Sequence, residues 1–126
     1  MADDDAIRSA LARGQTIDIT TTGRRSGQPR RKEIVYHNID GRLYISGTPS
    51  PRPRDWLRNL EADPRLTFHL KGEVRADLPA TARVITDEAE RRTILAQVAR
   101  NWKRDDVEAM VRDSPLIEVT LDTAAH

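Results

Sequence analysis

Five cationic side chains, Arg24, Arg25, Arg30, Arg31 and Lys32, fall within nine residues of chain, in the run GRRSGQPRRK. Guanidinium forks donate paired hydrogen bonds to phosphate or carboxylate oxygens. The glycines among them, Gly23 and Gly27, let the backbone come close to such a group. Ser26 adds a hydroxyl without a nucleophile-elbow context, which fits a hydrogen-bond donor to an oxyanion. A second basic stretch, Arg52 and Arg54 in SGTPSPRPRDW, runs into a segment of helical spacing that carries Trp56. The first turn of a helix leaves amides unpaired and attracts anions, so two such loops can meet at one anionic group. Charge runs also serve simply to keep a loop solvated. On residue types alone both readings stand: an oxyanion-binding pair of loops, or a basic hairpin tip and a proline-rich connector facing water.

The remaining reactive residue types are sparse. His37, His69 and His126 lie far apart in the chain, whereas metal sites gather their ligands. They are expected to be hydrogen-bonding or exposed histidines, and no metal site is expected. Ser46 resembles Ser26 in lacking the context of a nucleophile, and Asp105-Asp106 reads as a solvated helix entry. The chain has no cysteine, hence no thiolate nucleophile and no disulfide framework. It shows neither a His-Asp nor a Cys-His arrangement, which removes the hydrolase classes. Trp56 and Trp102 are pocket-lining candidates, although tryptophans more often pack a core.

These residues need a scaffold. Ile7, Ala10 and Leu11 are at helical spacing, with acids leading and Arg13 trailing, so a short helix is expected from Asp3 to Arg13, ended by Gly14. Thr16–Thr22 alternates apolar and polar as a half-buried strand, and Gly23–Arg31 is expected as a loop. Strand character returns at Lys32–Ile39, turns at Asp40-Gly41 and comes back at Leu43–Ser46. Trp56, Leu57 and Leu60 mark a helix stopped by Asp63-Pro64. Arg65–Lys71 and Val74–Ile85 alternate as two further strands, with Pro79 in the second predicting an edge or a bulge. Asp87 and Glu90 resemble a capping box before the apolar stripe Ile94, Leu95, Val98, Ala99 and Trp102. A short helical piece carries Val107, Met110 and Val111, and Ile117, Val119 and Leu121 alternate in a last strand. Six strands, mostly in hairpins, with two or three short helices give an α+β, mainly β, class: a six-stranded antiparallel barrel with helices over its openings.

A length of 126 residues, with 37% apolar and 33% charged side chains, predicts a single domain over 1-126, including an N-terminal helix within 1-14 and a frayed tail at 122-126. No apolar run approaches the roughly 18 residues of a membrane span. The N-terminus lacks the basic flank and apolar core of a secretory signal, so a cytoplasmic protein is expected. The balance of 21 basic against 20 acidic side chains leaves a net charge of +1. That balance, and the lack of aromatics interleaved with the arginines, argue against a nucleic-acid-binding module.

The segments TTTGRRSGQPRR and DGRLYISGTPSPRPRDWLRNLEADPRLTFHLK resemble the deazaflavin-dependent nitroreductase family of split β-barrel oxidoreductases, in register from Ile17 to Lys71. The resemblance implies a split β-barrel that binds coenzyme F420. It places the phosphate and acidic tail of the cofactor on Arg24, Arg25, Ser26 and Arg30, and a second phosphate-contacting loop at Ser46, Gly47, Thr48 and Pro49. This chain lacks the lysine common in that second loop, and Arg52 or Arg54 is expected to supply the charge. Trp56 matches the family tryptophan beside the deazaflavin, and Asn59 its companion. The implied reaction passes a hydride to a quinone, nitro compound or activated alkene. The family's late tyrosines are absent from ARNWKRDDVEAMV, which leaves Trp102 as the expected lid of the acceptor pocket. The rival on the same fold is an FMN, haem or other tetrapyrrole binder, with or without catalysis. Shorter phosphate tails need fewer arginines, so the basic loop favours F420. A monomer or a homodimer is compatible with the pattern.

Overall fold

The computed structural model describes residues 4–52 and 54–122. Asp3 and residues 123–126 of the expected tail lie outside the described residues. The chain runs α1 (Asp4–Arg13), β1 (Thr16–Thr22), β2 (Pro29–Ile39), β3 (Arg42–Ser46), α2 (Asp55–Ala62), β4 (Arg65–Lys71), β5 (Arg75–Val84), α3 (Glu88–Trp102), α4 (Val107–Asp113) and β6 (Leu116–Leu121). The strands close into an antiparallel barrel in the order β1-β2-β3-β6-β5-β4, with β4 paired back to β1.

Two expectations are adjusted by this arrangement. The basic loop is shorter than expected, because Pro29, Arg30 and Arg31 are already strand residues paired with Thr22, Thr21 and Thr20. The three consecutive threonines of β1 are β-branched and extend the ladder beyond Lys32. There are four helices rather than two or three: each of the four helical segments marked in the sequence forms separately, and Lys103, with a left-handed φ of 56° at the end of α3, parts it from α4.

Alternation puts Ile17 and Ile19 of β1, Phe68 and Leu70 of β4, and Ile117 and Val119 of β6 inside the barrel, all at 4% exposure or less. Helix α1 closes against it: the Tyr36 hydroxyl donates to the carbonyls of Ala10 (3.0 Å) and Leu11 (3.2 Å), and its ring meets Phe68 edge-on at 5.1 Å. Helix α2 inserts Trp56 and Leu60 into the same core. Helices α3 and α4 build a second cluster with Tyr44, Ile85 and Leu116, joining Ile94, Leu95, Val98 and Met110.

The turn residues behave as their chemistry requires. Asp40 and Gly41 both take positive φ (54° and 84°), the pairing needed for a tight two-residue hairpin. Pro79 sits where β5 has a neighbour on one side only: it pairs with Thr67 of β4, and pairing with β6 begins at Ala80. Half of the expected capping box forms. Asp87 accepts from the Glu90 amide at 2.9 Å, but the Glu90 carboxylate is drawn to Arg83 instead of back to the cap.

His37 is buried beneath Trp102, with ring centroids 5.0 Å apart, and its Nδ1 lies 3.3 Å from the Asn101 amide nitrogen. Burial holds its imidazole below the ordinary value. The unfolded chain therefore takes up a proton here before the folded one does. The contribution of His37 to stability is complete above the ordinary histidine range, near pH ~6.5, and is lost as pH falls through the lowered folded value. Unfolding midpoints measured on acidification should fall less steeply for His37→Gln than for the parent. Equal slopes would show that this histidine is not a source of acid sensitivity.

Candidate functional site

The end of β1 and the start of β2 are joined by a six-residue turn, Gly23 to Gln28, that the backbone holds tightly. The Gly23 amide donates to the Gln28 carbonyl and the Gly27 amide to the Gly23 carbonyl, both at 2.8 Å. The Ser26 Oγ accepts from the Gln28 amide at 3.1 Å, which leaves its own hydroxyl proton free to donate outward. Gly23 is buried here, and a Cβ at this position would stand 2.7 Å from the Ser26 Oγ and 3.4 Å from the Arg30 Nε. Any larger residue here would have to displace the Ser26 side chain that closes the turn.

Asn59 ties the turn to α2. Its side-chain oxygen accepts from the Arg24 amide (3.2 Å) and the Arg24 guanidinium (3.1 Å), and its NH2 donates to Thr21 Oγ1 at 3.2 Å. Asn59 and Thr21 are both buried. Arg24 reaches on to Asp55 at 3.5 Å. Truncation to Asn59→Ala leaves the Arg24 amide and the buried Thr21 hydroxyl short of a partner, an expected loss of ~1–3 kcal/mol in denaturant unfolding. Faster amide exchange over Gly23–Gln28 should accompany it; an unchanged midpoint and unchanged exchange would rule out the clamp.

Between turn and helix lies a cleft of ≈ 450 Å³ whose walls include Arg24, Arg25, Ser26, Arg30, Trp56 and Asn59. Arg31 and Lys32 also border it, but Arg31 is pinned to Asp18 at 2.8 Å. Arg25, Arg30 and Lys32 are exposed and have no carboxylate partner among the described residues. Their charge is therefore available to a ligand.

The two basic loops, which the sequence reading brings to one anionic group, lie in separate clefts on either side of α2. Arg52 and Arg54 line a second cleft of ≈ 390 Å³ with Leu57, Glu61 and the α4–β6 junction, and the two clefts share no lining residue. Ser46, Gly47, Thr48 and Pro49 line neither. The buried Ser46 hydroxyl donates to the Pro115 carbonyl at 2.7 Å, and the Thr48 carbonyl accepts from Arg54 at 2.6 Å. Trp102 also lines neither cleft; it is half-buried against His37, packed with the second core cluster. Gly23, one of the two glycines the sequence marks, belongs to the first cleft, and so does Thr21, which the sequence reading does not single out. The signal for Thr21 is the alternation itself, which puts this hydroxyl on the inward face with Ile17 and Ile19.

One arrangement contradicts the sequence reading, which finds no His-Asp pair. His69 Nδ1 lies 2.7 Å from Asp77 Oδ1 and its Nε2 lies 2.6 Å from Thr20 Oγ1. Antiparallel register brings them together, since His69 and Asp77 stand directly opposite across β4 and β5. The hydrogen bond from His69 holds the Asp77 carboxyl below its ordinary value. Among the described residues no group of three or more histidines, cysteines or acids is placed to hold a metal ion, and no helix is long and apolar enough to cross a membrane.

Comparison with known proteins bears on this geometry. The family model described as F420H(2)-dependent quinone reductase matches residues 4–123. Solved structures with the same fold include a conserved hypothetical protein from Mycobacterium tuberculosis (18% identity, 97% of this chain and 82% of that one, TM-score 0.75). A haem storage protein from Vibrio cholerae, HutZ, is similar at 14% identity, over 97% of this chain and 92% of that one, with TM-score 0.70. An F420-H2 dependent reductase, FDR-A, matches at 20% identity, over 83% of this chain and 93% of that one, with TM-score 0.60.

Proposed function

The chain belongs to the F420H(2)-dependent quinone reductase family, oxidoreductases that use coenzyme F420, and on that premise we propose that the cleft between the Gly23–Gln28 turn and α2 holds the phosphate and acidic tail of the cofactor. The observation that carries this reading is the set of cations without a carboxylate partner among the described residues, Arg25, Arg30 and Lys32, lining one cleft with a glycine whose Cβ would collide with the Ser26 side chain. The residues present fit an anionic, phosphate-bearing group. When bound in its reduced form, F420 supplies a hydride, and a small organic acceptor such as a quinone, a nitro compound or an activated alkene receives it.

The roles of the side chains follow from their partners. Arg25 and Arg30 bind, because no carboxylate among the described residues holds them. Arg24 positions, because Asn59 and Asp55 already engage it and fix the turn against the helix. Ser26 donates its free hydroxyl proton to an oxyanion. Trp56, 5% exposed, offers the cleft a rigid apolar wall that excludes water from one side. No acid–base residue is demanded of the protein, whose contribution to such a transfer is orientation and water exclusion.

A tetrapyrrole reading finds less support in the histidines. Both ring nitrogens of His69 are bonded to neighbours, and His37 is only 5% exposed, under Trp102. The His37 Nε2 has no partner among the described residues but is buried, so an iron would reach it only if the Trp102 side of the core moved. Titration of the purified protein with F420, FMN and haem in one buffer tests the proposal. Micromolar or tighter binding of F420 alone is the expected result, followed by a screen of quinones and nitro compounds for the acceptor. Binding of FMN or haem in preference to F420 would overturn it.

A further inference from the structure

Between α1, the Asp40-Gly41 hairpin and β6 lies a third cleft, of ≈ 630 Å³, larger than either cleft described above. Helix α1 packs against β2, not across the whole barrel end, and this leaves the β3–β6 side uncovered. The floor is the pair Leu43 and Val119, which stand directly opposite across β3 and β6 at 7% and 4% exposure. Leu11, Ala12 and Leu121 extend the aliphatic wall. Asn38 makes that wall rigid: its NH2 donates to the Leu11 carbonyl at 3.1 Å, and its side-chain oxygen accepts from the Gly41 amide at 3.0 Å. Helix end and hairpin turn are thereby held in place, as in a pre-formed small-molecule pocket of roughly 300–1,000 Å³.

The charges on its walls are Arg8, Arg42 and Glu118. Arg42 meets Glu118 only at 3.9 Å, and that carboxylate is already held by Arg83 at 2.8 Å. Arg8 meets Asp5 at 3.5 Å, with both side chains largely exposed. Long, solvent-exposed pairs of this kind contribute little and yield readily to a better partner. Two loosely engaged cations against one occupied carboxylate leave positive charge beside an aliphatic surface. No aromatic side chain is among the described residues that line the cleft. Such a wall rewards burial of a flexible chain and offers a flat ring nothing to stack on.

We infer that this cleft binds a free aliphatic carboxylate of medium length, its chain along Leu43, Val119 and Leu121 and its head group on Arg42 and Arg8. The inference does not depend on the role of the first cleft. The two share no lining residue, and the 11 residues of β2 put roughly 30 Å of strand between this cleft and the Gly23–Gln28 turn.

Decanoate, kept below its micelle-forming concentration and titrated into isotope-labelled protein with backbone amides followed by NMR, tests this. Shifts are expected at Ala12, Leu43, Thr120 and Leu121 and not over Gly23–Gln28. Across hexanoate, octanoate and decanoate, affinity should rise roughly fourfold per added methylene as the chain is buried. The double variant Arg8→Gln, Arg42→Gln should weaken decanoate at least about tenfold and leave decanol unchanged. Both side chains are largely exposed, so the fold should survive. Ala12→Glu, at another exposed position, puts a larger charged side chain on the wall and should weaken both ligands. Saturating F420 should leave the decanoate midpoint where it is. Decanoate shifts over Gly23–Gln28 that F420 abolishes would place the ligand in the first cleft and overturn the inference. A chain-length series without slope would overturn it too. So would shifts at the same amides that need only a higher protein concentration, or only phosphatidylglycerol vesicles, since these assign the surface to a second copy or to a membrane. Failure to bind F420 would count against the first cleft and leave this one standing.

Discussion

Arg25→Ala and Arg30→Ala should each weaken F420 binding by ~1.5–3 kcal/mol, the loss typical of a hydrogen bond to a charged group. The double variant should lose at least about a hundredfold in affinity. The fold should survive both substitutions, since each side chain is exposed and has no ion-pair partner among the described residues. Arg24→Ala is the instructive contrast: its guanidinium is engaged by Asn59 and Asp55, so part of its effect should appear in the rigidity of the turn. Fluorescence titration with F420, alongside thermal unfolding of the same samples, measures both quantities. Parent-like affinity in the double variant would remove the turn from the binding site.

The other large effect is on stability. Trp56 is 5% exposed and packs within the barrel's core cluster alongside Leu60. Trp56→Ala opens a cavity that the closed barrel is poorly able to collapse into, with an expected cost of ~3–5 kcal/mol in unfolding free energy. For a domain of marginal stability that is a large fraction of the whole. The same side chain walls the first cleft, so affinity for F420 should fall too. Trp56→Phe separates the two roles, because it refills most of the core volume but removes part of the indole surface. Stability restored with affinity still reduced identifies Trp56 as a wall for the ligand. Affinity that recovers in step with stability assigns it to packing alone.

Much of the barrel was legible because its signals are local. Thr16–Thr22 and Arg65–Lys71 alternate so regularly that their limits match the strands formed, and Asp40-Gly41 specifies its turn through the φ values it tolerates. The basic stretch was equally plain in its residue types, although only Arg24 and Arg25 of its five cations fall in the turn and Arg30, Arg31 and Lys32 belong to β2. The family resemblance and the family match agree on F420 for the same reason: the motif is continuous in sequence.

What escaped the sequence depends on pairing across distance. Whether Asp77 faces His69 is a question of hairpin register, and a slip of one residue would have turned it to the opposite face. Pro29, Arg30 and Arg31 became strand because Thr20, Thr21 and Thr22 offered a partner edge, a gain that no local propensity records.

By itself, then, the sequence determined the alternation that closes into six strands, the glycine-punctuated arginine turn and, through that turn, the family and its cofactor. Only the tertiary structure decided that α2 stands between the two basic loops, so that Arg25 and Arg54 face different clefts, and that Asn59 holds Arg24. The reason is physical. Residue type and spacing set which groups can bind an anion, but burial and the partners supplied by remote strands and helices set which of those groups remain free to do so.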